Sequence, residues 1–231
     1  MSASPTPVRL MGNPGGGYHG GPAARPQGEP SPGTACAVSG MTPGVAVVLA
    51  GGKSRRLGRD KAAVVVDGLP MLERMVRLAG NFCPAVAVSG RDPAPLVHDV
   101  PWFLDAEAGL GPLGGIVTAL ERYGTSCLVL SCDLPLLDAA TLEILLNAWR
   151  SRPRHAVMTT FQQIETGFIE ALVAVYEPQA APLLRRASEE GCRKLSRAIP
   201  AALRHVVMYS TADARPFFNV NTPADLASVL P

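Results

Sequence analysis

The run Val45 to Ala50, short, apolar and rich in β-branched residues, constrains this chain more than any other feature, because it breaks straight into glycines and then into cations. A segment apolar at every position reads as a strand buried on both faces, as in a parallel sheet covered by helices. After it comes Gly51-Gly52-Lys53-Ser54-Arg55-Arg56-Leu57-Gly58-Arg59-Asp60-Lys61. The glycines let backbone approach a ligand closely, and free amides together with Lys53, Arg55, Arg56, Arg59 and Lys61 suit a polyphosphate. The carboxyl end of a buried strand is also where open α/β sheets bind ligands. The loop is not a P-loop. In GxxxxGK[ST], with Gly52-Lys53-Ser54 as its tail, the first glycine falls at Val47, inside the strand. Nor does this loop carry a GxGxxG fingerprint.

Further along, segment types alternate. Strand-like Ala62 to Val66 precedes helix-like Met71 to Ala79, then come strand-like Ala85 to Val88, helix-like Gly115 to Arg122, strand-like Ser126 to Leu130 and a helix from Ala139 to Trp149 that Asp138 can cap. Such alternation predicts an α/β, Rossmann-like fold: a mostly parallel sheet with helices on both faces. The second half is less regular. His155 to Phe161, Ile169 to Tyr176 and Arg204 to Tyr209 look extended, with helical Ala181 to Glu190 and Arg193 to Ala198 between them, which predicts mixed pairing at one sheet edge.

Residues 1–44 are dominated by Pro, Gly, Ala and Ser with little apolar periodicity, a composition that buries too little surface to offset its ordering entropy. They are expected to form a disordered extension, leaving 45–231 as one domain. With 21 basic against 19 acidic side chains, neither nucleic acid nor an anionic membrane is an expected partner. The five cysteines form no CxxC pair, and Cys127 and Cys132 lie in an apolar run, so reduced, buried thiols are expected. No stretch is apolar for long enough to span a bilayer, and no signal-peptide pattern opens the chain; a cytoplasmic location is expected.

Three more segments carry chemistry. Leu128-Val129-Leu130-Ser131-Cys132-Asp133-Leu134-Pro135 is an apolar strand ending in one carboxylate and a proline, and a carboxylate there suits Mg²⁺, which takes one or two carboxylates plus substrate phosphates. In Trp102-Phe103-Leu104-Asp105 a strand ends in Asp105, and Gly109-Leu110-Gly111-Pro112-Leu113-Gly114-Gly115-Ile116 leads into a helix whose first glycines leave room for a ligand. Near the end, Thr222, Pro223 and Asp225 are a helix start. Asn219 and Asn221, two apart on an extended piece, are expected to face the same way as a hydrogen-bonding pair.

Together these segments resemble the molybdenum cofactor guanylyltransferases, within the Rossmann-like nucleotidyltransferases. The resemblance runs from about Gly44 to Leu230, through Leu49-Ala50-Gly51-Gly52 with Arg56, Gly58 and Asp60-Lys61, then Gly111 to Ile116, Cys132 to Pro135, and Asn219-Val220-Asn221-Thr222-Pro223. It implies that residues 45–231 transfer GMP from GTP to the terminal phosphate of molybdopterin with Mg²⁺ as cofactor, and that molybdoenzyme delivery partners take the product. Leu49, Ala50, Gly51 and Gly52 would contact the nucleotide, Lys61 its phosphates and Asp105 the guanosine part. Asp133 would hold the metal, Arg56 and Lys61 would balance the departing pyrophosphate, and Asn219 and Asn221 would face the acceptor. The chain departs from the family at Ser89-Gly90, where relatives often carry Asn, and at Ile169-Glu170-Ala171-Leu172, where many carry Pro-Leu. Use of CTP or a sugar phosphate, or a role as a non-catalytic nucleotide- or cofactor-binding adaptor, are the alternative readings.

Overall fold

A computed structural model describes residues 42–51, 57–107, 109–192 and 194–229. Arg56 and Gly52, with Lys53, Ser54 and Arg55, lie outside the described residues, as does the expected extension up to residue 41. Pro43 is buried and the Gly44 N–H donates to Ser126 O, so the folded unit includes these residues.

Strand β1 (Val45–Leu49) is buried at all five positions. Beyond it, Lys61–Ala63 form a 3-10 turn, and β2 (Val65–Val66) and β3 (Leu69–Pro70) make a tight antiparallel hairpin. The single strand expected from Ala62 to Val66 therefore does not form. The Asp60 carboxylate accepts the Ala62 N–H at 3.1 Å, a local bond that turns the chain, and Asp67-Gly68, both at positive φ, reverse it again. Helix α1 (Met71–Gly80) buries Met71, Leu72, Met75, Val76 and Ala79 along one stripe. Strands β4 (Val86–Ser89) and β5 (Trp102–Phe103) follow, and the extended piece stops two residues short of Asp105.

Helix α2 (Pro112–Tyr123) starts at a proline and stops at left-handed Gly124. It begins three residues before Gly115, so Gly114 and Gly115 sit inside its first turn. Strand β6 (Cys127–Ser131) is fully buried, and α3 (Ala139–Arg150) is capped by Asp138, which accepts the Thr141 N–H at 2.8 Å. Strand β7 (Met158–Gln163) starts later than His155, because a turn closed by Ala156 N–H to Pro153 O occupies those residues. Strand β8 (Ile169–Tyr176), α4 (Ala180–Glu189), α5 (Leu195–Ala198), β9 (Arg204–Tyr209) and α6 (Pro223–Ala227) complete the fold.

The main sheet runs β5-β4-β1-β6-β8-β7-β9, and β8 alone is antiparallel to its neighbours. Mixed pairing at one side thus comes from one reversed strand. Helices α2, α4 and α5 cover the face shown by Val45, Val47 and Val129, while α1 and α3 cover the face shown by Ala46, Val48, Leu128 and Leu130. Cys127 and Cys132 are buried on opposite faces, and burial pushes both thiols up to about 12. A smaller core joins Val220 and Leu226 to Leu57, Val64, Val66 and Met71, which fastens the C-terminal segment beside the loop after β1.

Candidate active site

The chain leaves β1 for β4 and β5 on one side and returns through α2 to β6 on the other. The carboxyl end of β1 is therefore a topological switch point, where diverging loops leave a crevice. Leu49 pairs with Ser89 and with Ser131, Ala50 N–H donates to Ser89 O at 2.9 Å, and Cys132 N–H donates to Leu49 O at 3.1 Å. Gly51 lies against Gly90. A Cβ on Gly90, whose φ is +95°, would stand 2.6 Å from Gly51 Cα, so two loops meet backbone to backbone here.

On the β4 side lies a cavity of about 650 Å³, lined by Leu49, Gly51, Ser89, Asp105, Gly111 and Gly115 among others. Ser89 Oγ donates to Asp105 Oδ1 at 3.1 Å. Burial raises the Asp105 carboxyl above the usual range, and the Ser89 hydroxyl opposes that by favouring the anion. The loop carrying Asp105 is tied to α2 through Ala106 N–H to Thr118 Oγ1 at 3.0 Å.

On the β6 side a charged cluster forms. Lys61 Nζ lies 3.2 Å from Asp133 Oδ2 and donates to Asn221 Oδ1, while Ser131 Oγ donates to Asp133 Oδ1. Lys61 and Asp133 side chains are each 18% exposed, open enough for a ligand and screened enough that their charges act strongly. The Val220 N–H donates to Asp133 O, joining the C-terminal segment to the loop after β6. Thr222 and Asp225 form a capping box, and the Asp225 carboxylate accepts both the Asn221 and Thr222 N–H groups at 2.8 Å. Those two N–H groups hold the Asp225 carboxyl below the usual range, with Lys61 acting in the same direction.

The fold thus brings Leu49, Ala50, Gly51, Lys61, Asp105, Asp133 and Asn221 to one end of β1, whereas Gly52 and Arg56 lie outside the described residues. Asn219 and Asn221 do not act as a pair. Their segment is not a strand; Asn219 is exposed with its amide on Phe217 O at 3.2 Å, and Asn221 turns to Lys61 instead. Sequence reasoning missed Ser131 and the part that Ser89 plays beside Asp105. Ser131 had a signal, since it stands two residues before Asp133 at a strand end; Ser89 was marked as a departure from the family, but its bond to Asp105 had no signal, because only the fold brings the two together. Among the described residues no three His, Cys, Asp or Glu side chains group to hold a metal, and Asp133 is the carboxylate beside Lys61.

Residues 46–206 match the family model described as the MobA-like NTP transferase domain. The chain is 36% identical over 78% of its length to a Mycobacterium tuberculosis protein named "Probable molybdenum cofactor guanylyltransferase", of which it covers 90%. It is 35% identical over 65% of its length to the molybdenum cofactor biosynthesis bifunctional protein of Synechocystis, spanning 44% of that longer protein. Among solved structures it is similar to molybdopterin-guanine dinucleotide biosynthesis protein A from Archaeoglobus fulgidus, with 26% identity, a TM-score of 0.65, and coverage of 80% of this chain and 96% of that one. With its glycine contact, its Asp105 pocket and its Lys61–Asp133 cluster all set on the switch point of such a sheet, the chain belongs to the MobA-like NTP transferase family.

Proposed function

We propose that this protein is a molybdenum cofactor guanylyltransferase, which transfers GMP from GTP to the terminal phosphate of molybdopterin and releases pyrophosphate. The observation that carries the reading is the placement of Asp105 and the Lys61–Asp133–Asn221 cluster on opposite sides of Gly51, a layout for a base on one side and phosphates on the other. The names of the relatives support GTP and the pterin acceptor in particular.

A phosphate oxygen of the acceptor attacks the α-phosphorus of GTP in line; the new P–O bond forms as the bond to the β-phosphate oxygen breaks. The nucleophile is already an anion, so the chain supplies positioning and charge rather than a base. Leu49, Ala50 and Gly51 seat the nucleotide against bare backbone, and Asp105 accepts from the guanine edge. Lys61, held by Asn221, balances charge on the phosphates, a role shared with Arg56. The donor set fits Mg²⁺, since Asp133 is one carboxylate and the remaining ligands would be phosphates and water. When bound, that ion would screen the phosphates and the departing pyrophosphate. Asn219, exposed on the same segment as Asn221, is the side chain left to face the acceptor.

The four described cysteines are free thiols, which supports a cytoplasmic location, and molybdoenzyme partners would take the product. Pyrophosphate release with GTP, CTP, ATP or UTP, molybdopterin and Mg²⁺ tests the reading. Turnover with GTP above the others is the expected outcome, and binding without release would show an adaptor instead.

A further inference from the structure

We propose that Ser89, with the Gly114-Gly115 step of α2, positions the Asp105 carboxylate to read the 2-amino-6-oxo edge of a purine, which makes Ser89 a specificity-determining residue that acts without touching the base. The proposal rests on the pocket being the GTP site.

Ser89 ends β4 between β1 and β5, pairing with Leu49 on one side and Phe103 on the other, and is 2% exposed. A polar side chain so enclosed on a sheet is rigid, and its hydroxyl donates to Asp105 Oδ1. Asp105 itself leaves the sheet two residues after β5, on a loop tied to α2 by the bond from Ala106 N–H to Thr118 Oγ1. The first turn of α2 supplies the missing walls. A Cβ added at Gly115 would stand 2.6 Å from Ser89 Oγ, 3.0 Å from Leu49 Cδ2 and 3.3 Å from Asp105 Oδ1. One added at Gly114 would stand 3.1 Å from Leu110 Cβ and 3.2 Å from Asp105 Oδ2. The two glycines therefore form a seat, one against each carboxylate oxygen, and Ser89 closes it from the sheet.

Burial raises the Asp105 carboxyl above the usual range, and the Ser89 hydroxyl, as a donor to the carboxylate, opposes that shift in favour of the anion. Guanine offers N1–H and a 2-amino group side by side, a pair that a fixed anionic carboxylate accepts in bidentate fashion. Hypoxanthine keeps N1–H but lacks the amino group, and adenine presents N1 as an acceptor. Holding the carboxylate plane is thus what separates these bases, because a freely turning carboxylate would satisfy one donor of either.

The experiment measures equilibrium binding of GTP and ITP with Mg²⁺ to the full chain, and KM and kcat by pyrophosphate release. Ser89→Ala should weaken GTP binding about tenfold, cut the preference for GTP over ITP by a similar factor and leave kcat nearly unchanged. Gly115→Ala, which suits a helix, should produce the same loss of preference by pushing Ser89 and Asp105 aside, and serves if the Ser89 variant does not fold. In an Asp105→Ala background Ser89→Ala should change nothing further. If Asp105→Ala leaves GTP preference intact, the GTP reading of the pocket fails. If Asp105→Ala abolishes the preference but Ser89→Ala and Gly115→Ala preserve it, the positioning role is overturned. Equal weakening of GTP and ITP would also overturn it, since that is the mark of a purely structural serine.

Discussion

The two sides of the loop after β1 are built by different means. On the β4 side, Asp105 is seated by packing: sheet backbone, a buried serine and two glycines of the following helix, all drawn from residues 49–115. On the β6 side, Lys61 is held by charge and hydrogen bonds to Asp133, 72 residues on, and Asn221, 160 residues on. Packing fixes a shape, which is what discrimination between bases needs. A web of opposite charges fixes a potential, which is what a polyanion and its leaving group need. The comparison teaches that substitutions on the first side should alter which nucleotide binds, and those on the second how fast it reacts.

The largest break should come from Asp133→Ala, which removes the carboxylate paired with Lys61. We expect turnover to fall about a thousandfold while the circular dichroism spectrum stays native, and near-normal pyrophosphate release with Mg²⁺ would refute the assignment. Lys61→Ala comes next, at about 3 kcal/mol of lost transition-state stabilisation, seen in kcat. Asn221→Ala should act through that same lysine, so the double variant with Lys61→Ala should be no worse than Lys61→Ala alone; additive losses would show that Asn221 has a separate task.

On the other side, Asp105→Asn should raise KM for GTP with little change in kcat and, at the same time, raise the melting temperature at pH 7. Burial lifts the folded-state pKa of Asp105 above its unfolded value, so the fold loses stability as pH rises from the unfolded pKa through the folded one, and the neutral amide removes that cost. A melting temperature that rises in the variant at pH 7 but not at pH 3 would confirm the sign. The smallest effect should be that of Arg91→Ala. Its ion pair with Asp60 is partly exposed and worth under about 1 kcal/mol, so thermal melts should barely move.

Legibility in the sequence follows the same division. The strand at Val45, the carboxylate at Asp133 and the cap at Thr222 were readable because each is a local pattern with a local cause. Lys61 was readable as a cation in a glycine-rich loop, but its partner Asn221 was not, because nothing in spacing joins positions so far apart. The strand expected from Ala62 failed over its first half for a local reason of another kind: Asp60 bonds the Ala62 N–H and turns residues 61–63, so that only Val65 and Val66 are strand. Asn219 and Asn221 were misread as a facing pair because strand alternation was applied to a segment that bends at Phe217 and Phe218. The reversed β8 could be anticipated only as some irregularity, since antiparallel and parallel strands buried on both faces look alike in sequence.

The return of the C-terminal segment to the first half of the molecule bears on how the protein becomes active as it is made. Every strand of the main sheet lies between residues 45 and 209, so a growing chain can close the sheet and its pocket before Asn221 exists. Until the ribosome has released residues 217–229, Lys61 lacks its amide partner and the small core around Val64 and Met71 lacks Val220 and Leu226. A chain grown only to residue 216 therefore holds every strand beside the Asp105 pocket but not the amide that binds Lys61.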